Sequence, residues 1–211
     1  MALSSAPGHG NPGDFDAMAS VDGIAAHPHW DRLLAPHAPL RDLADAVHAV
    51  TAIHGNHPGM IECALARGAE VDTLPWLIDA AAGFAVERAY LAQLTAAAGP
   101  LPSTPGQAET ATALAQQRHT LEALANSDRI GSATGAVGAL LADWRALRHV
   151  LDAAAARFGV EVVVPILPPA NPPVPAAALA LRARSFGANQ LFAQHRGLWG
   201  LLEARASARR G

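Results

Sequence analysis

Lysine is absent from this 211-residue chain: all 15 basic side chains, histidine aside, are arginine. A Walker-type phosphate loop, a Schiff-base enzyme and a protein-kinase site each require a lysine, so those classes are excluded. Cysteine is almost absent. Cys63 stands alone, which excludes an intramolecular disulfide, a Cys-x-x-Cys redox pair and a cysteine-only zinc or iron–sulfur site. No apolar run approaches the ~20 residues that a membrane-spanning helix needs, and EVVVPILPPA is cut by prolines. The opening MALSSAPGHGNPGD has neither the basic nor the apolar region of a secretory signal. A cytoplasmic location is the expectation.

Alanine is what the chain has instead, 50 residues of it, against ten Phe, Trp and Tyr together. Alanine is the best helix former, and β-branched residues are sparse outside one short run, so the expected fold class is all-α. The net charge of −3 is unevenly placed. Residues 176–211 hold six arginines and one acid, Glu203, a local +5 that leaves −8 on the first 175 residues. Such a tail suits an acidic partner, nucleic acid or the protein's own body.

Periodicity divides the chain into four parts. Residues 1–37, rich in Gly, Pro, Asp and His, read as a flexible, disordered-like leader. Residues 38–159 read as a four-helix bundle core. Its first helix carries Leu43, Val47, Val50 and His54 and stops at Gly55. A short helix runs from Pro58 to Ala66. The second long helix is capped at Asp72 or Thr73 and runs to about Ala98. The third spans Gln107 to Ala125, and the fourth carries Val137, Leu140, Trp144, Leu147 and Leu151 and stops at Gly159. Gly131, Gly135 and Gly138 lack the spacing of a nucleotide loop and predict a close helix–helix contact or a kink. Residues 160–175 form an extended connector, with six prolines from Pro165 to Pro175. Residues 176–211 form an appended basic amphipathic helix.

Ten histidines raise the question of a metal. At about 100° per residue, His54 falls within the apolar stripe of the first helix and Glu87 within that of the second, between Phe84 and Leu91. A carboxylate facing a core is unusual unless paired or ligating. Asp143 flanks the stripe of the fourth helix, whereas His119 with Glu122, and His149, point to solvent. His54-Gly-Asn-His57-Pro is the most concentrated signal. His54, His57 and Glu87 would supply two nitrogens and one oxygen to a transition metal such as iron or zinc, with Glu62 as a further ligand or base. The alternative is a core histidine at 54 bonded to Glu87 and a turn residue at 57. No Gly-x-Ser-x-Gly elbow supplies a nucleophile.

Four amphipathic helices with inward acids and histidines resemble the ferritin-like bundles over about residues 39–159. The resemblance implies a bundle architecture in which Glu87 stands for one carboxylate ligand. The family's Glu-x-x-His pair does not occur in this chain.

The primary expectation is a non-enzymatic interaction protein acting through its C-terminal helix. Phe186, Phe192, Arg196, Trp199 and Leu202 would contact a protein partner or a second copy. The alternative is a metal- or small-ligand-binding bundle using His54, His57 and Glu87. Nucleic-acid binding through the arginines ranks last, because an acidic body repels phosphate and few aromatics are available for stacking.

Overall fold

Residues 14–68, 70–174 and 178–210 are described by the computed structural model. The first thirteen residues of the expected leader, and residues 175–177 at the junction of connector and C-terminal helix, lie outside this set. The described residues are all-α, with no strand. They form α1 (Phe15–Asp22), the 3-10 turn η1 (Ile24–Ala26), α2 (Pro28–Leu34), α3 (Leu40–His54), α4 (Met60–Arg67), η2 (Val71–Thr73), α5 (Leu74–Ala98), α6 (Gln107–Ala125), α7 (Ser132–Phe158) and α8 (Ala178–Ala208). Helix ends follow local chemistry. Pro75 sits in the first turn of α5, and Gly99 and Gly159 adopt positive φ where α5 and α7 stop.

The leader is not loose over residues 14–37. The Asp14 carboxylate accepts the Ala17 N–H at 3.2 Å to cap α1, and Pro28 opens α2. Phe15, Ile24 and Leu33 are buried in the common core. Each short helix brings one or two apolar anchors, too few to produce a readable period, and α1, η1 and α2 all pack against the distant helices α7 and α8. The socket for Phe15 is Gly138: a Cβ there would lie 2.4 Å from the Phe15 ring.

Nor is the C-terminal helix an appendage. It packs along α7 in the most extensive helix pair of the fold. Leu191, Phe192, Leu198, Trp199 and Leu202 are all buried, each stabilising by at most about 1.5–3 kcal/mol. By contrast α6 buries only Thr110, Leu121 and Ala125. The central side chains therefore come from α3, α5, α7 and α8.

The glycines explain how α7 and α8 approach so closely. A Cβ on Gly135 would lie 2.0 Å from the Arg184 carbonyl oxygen, and one on Gly187 would lie 2.0 Å from the Ser132 carbonyl oxygen. The glycines that weaken α8 as an isolated helix thus permit backbone-to-backbone contact. Gly187→Ala must push the helices apart, and we expect it to destabilise by about 1–3 kcal/mol. Urea unfolding reads this directly, and Gly200→Ala serves as the control because open space surrounds that position.

The connector is a strap. Residues 160–174 form neither helix nor strand, so the strand-like reading of 160–167 does not extend to a sheet. The Trp76 indole donates to the Pro169 carbonyl at 2.7 Å, and Arg148 donates to the Val163 carbonyl. Asn171 accepts the Phe15 N–H at 2.8 Å. The strap is thereby fastened to α5, α7 and α1.

Candidate functional site

Helical spacing brings one ionisable side chain from each of α3, α5, α7 and α8 into the interior. On α7, Leu140, Asp143, Leu147 and Leu151 share a face; on α8, Leu191, His195, Trp199 and Leu202 do the same. His54, Glu87, Asp143 and His195 are each no more than 5% exposed.

Two hydrogen-bonded chains result. In the first, His195 Nδ1 lies 2.6 Å from Asp143 Oδ2, so Nδ1 carries the proton and donates to the carboxylate. His195 Nε2 lies 3.1 Å from His54 Nε2. Burial holds the His54 imidazole well below the usual histidine range, and the neighbouring His195 adds to this. One of the two Nε2 atoms donates across this contact and the other accepts. Asp143 Oδ1 accepts the Ile24 N–H at 2.9 Å, tying η1 to α7 and α8. A Cβ on Gly23 would meet that oxygen at 2.4 Å.

In the second chain, Glu87 Oε2 accepts the Trp144 indole N–H at 2.9 Å and an Arg148 N–H at 3.0 Å. Arg148 also pairs with Asp152 at 3.1 Å and lies over the Tyr90 ring, 4.3 Å from its centroid. Tyr90 donates to Asp152 at 2.9 Å; burial, reinforced by that bond, pushes its hydroxyl above the usual tyrosine range. Glu87 Oε1 is buried without a protein partner. The chains meet where the His54 ring stands edge-on to Trp144, with centroids 5.6 Å apart.

The expected metal ligands are not brought together. His54 is a core histidine whose partner is His195 rather than Glu87. His57 is exposed in the turn before α4. Glu87 faces inward but is held by Trp144 and Arg148. Glu62 caps α4 by accepting the Gly59 N–H at 2.8 Å and pairs with Arg88. Among the described residues, no group of three or more His, Cys, Asp and Glu side chains is placed to hold a metal ion. His119 and His149 are exposed.

The expected partner residues divide. Phe192, Trp199 and Leu202 are buried in the core and cannot meet a partner. Arg196 and Phe186 are at the surface, Arg196 paired with Asp22 at 2.8 Å and Phe186 stacked under Arg129 at 4.6 Å. Four of the six tail arginines neutralise the protein's own acidic body: Arg184 with Glu70, Arg196 with Asp22, Arg205 with Asp45, and Arg209 with Asp42 and Asp45.

His195, Arg148 and Arg205 escaped the sequence reading, although their spacing marked them. His195 lies four residues from both Leu191 and Trp199, Arg148 four from Trp144, and Arg205 three from Leu202. A polar side chain on an apolar stripe was the available signal.

Fold and site together define a class: an all-α domain whose interior is crossed by two buried polar chains, with none of its helices among the described residues long and apolar enough to cross a membrane. The chain belongs to DUF6975, a family of unknown function, and the match covers residues 19–210. No curated protein and no solved structure matches it.

Proposed function

We propose that the protein is a non-enzymatic interaction module that self-associates through the N-terminal end of α8 and the turn between α6 and α7. The observation that carries this reading is a contiguous exposed apolar patch. Ile130 is 75% exposed, Leu179 78% and Phe186 42%. Ile130 and Leu179 line a shallow depression rimmed by Asp128, Arg129 and Arg182, and Phe186 lies beside it under the Arg129 guanidinium. Large apolar side chains clustered in water mark contact surfaces more often than isolated ones do.

Both charge signs rim the same patch, as a self-complementary two-fold contact requires. Asp128 pairs with Arg67 of its own chain but stays largely exposed, open to Arg182 of a second copy. The non-enzymatic part of the reading rests on burial: His54, Glu87, Asp143 and His195, the ionisable groups at the centre of the two chains, are enclosed by side chains.

Sedimentation velocity at high micromolar concentration tests the proposal. The wild type should be a dimer, and Ile130→Glu with Leu179→Glu should be a monomer of unchanged helicity. Both positions are exposed, so the fold does not depend on them. A monomeric wild type, or a dimer indifferent to the double change, overturns it.

A further inference from the structure

Away from that patch, α3, α6 and α8 enclose a second feature. Asp45, His48, Ala49 and Ala52 recur along one face of α3, while Thr110, Ala111, Leu114, Ala115 and Arg118 recur along one face of α6. Leu201, Leu202 and Arg205 of α8 form the floor between them. The trough holds about 360 Å³. Its cause is compositional: both walls present alanines where larger side chains would close the gap, and α6 buries few of its residues against the body.

Its two ends differ in chemistry. One is closed by a satisfied ionic network, in which Arg205 Nε donates to both Asp45 oxygens at 3.0 and 2.8 Å and its NH1 donates to Thr110 at 3.0 Å. The charges there cancel. Toward the other end lies Arg118, half-exposed and paired with Glu122 one turn along the same helix, at 3.5 Å. Such exposed pairs are weak and yield readily to a better-placed anion.

We propose that this trough is a binding site for a medium-chain fatty acid, with its alkyl chain along the alanine walls and its carboxylate on Arg118. An apolar cleft with one oriented polar anchor is the usual form of a small-ligand site. A cleft of this volume lies at the small end of the usual range for small-ligand sites, which suits a slender ligand such as decanoate. The site is independent of self-association at the end of α8.

Isothermal titration with decanoate, below its micelle threshold, supplies the test, with decanol as the uncharged probe. The wild type should bind decanoate. Arg118→Gln should weaken decanoate about tenfold and leave decanol unchanged. Ala52→Leu with Ala115→Leu fills the trough and should abolish binding of both while circular dichroism and unfolding midpoint stay at or above wild type. No decanoate binding by the wild type overturns the proposal, as does binding that survives the filled trough. Equal loss of decanoate and decanol in Arg118→Gln overturns the assigned orientation.

Discussion

Glu87→Ala is expected to lower the unfolding free energy by about 3–5 kcal/mol, a large fraction of the stability of a domain this size. Glu87 is wholly buried, and the carboxylate is the partner of both Trp144 and Arg148. Removing it leaves a guanidinium in the interior without its main counter-charge and an indole N–H without an acceptor. Arg148 keeps Asp152 and the Val163 carbonyl, which limits the loss.

The pair itself need not stabilise the fold, because desolvating two ions costs nearly as much as their attraction returns. The double change Glu87→Leu with Arg148→Met should therefore be much milder than Glu87→Ala alone. Glu87→Gln, which retains an acceptor for Trp144, should fall between them. Urea denaturation of the four proteins measures the whole series. An unfolding midpoint for Glu87→Ala equal to wild type would show that Glu87 is not the buried counter-ion described here. Loss of a bound metal, instead of loss of stability, would revive the ligand reading of that residue.

Helix positions were legible in the sequence wherever a long amphipathic stripe met a glycine or proline stop. The stops expected for α3 at Gly55 and α7 at Gly159, and the span expected for α6 from Gln107 to Ala125, match those observed. The inward facing of Glu87, His54 and Asp143 followed from the same 100° construction. Partnerships did not follow. Glu87 and Arg148 are 61 residues apart and Asp45 and Arg205 are 160 apart, and nothing local says which buried charge meets which.

The two largest departures share one cause. Phe15 and α8 owe their positions to glycines in the seams between helices: Gly138 receives the Phe15 ring, and Gly135 on α7 with Gly187 on α8 lets the two helices lie together. A glycine reads locally as a break. Its use as a socket appears only once the partner is known. The basic tail illustrates the electrostatic form of this point, since its excess of arginine is the counterpart of the body's excess of acid.

Acidification should destabilise the protein through its buried histidines. Burial lowers the pKa of His54 well below 6.5, and it lowers that of His29 too, against the opposing charges of Asp42 and Glu203. In the unfolded chain both titrate near 6.5. Below that pH the unfolded state binds protons that the folded state refuses, so stability falls as pH falls. Above it both states are neutral at these positions and the contribution is constant. The decline should begin near pH 6.5 and steepen to at most about 1.4 kcal/mol per pH unit for each histidine. His54→Gln removes one titrating group while leaving an amide long enough to hydrogen-bond with His195 Nε2. Its unfolding free energy at pH 7.5 can be lower than wild type, but its slope between pH 6.5 and 5 should be shallower. The other titratable groups are common to both proteins, so the difference between the two curves reports on His54. Parallel curves would mean that His54 keeps its proton on folding. The Asp143–His195–His54 chain would then hold a charge, with His54 as an imidazolium donating from both ring nitrogens.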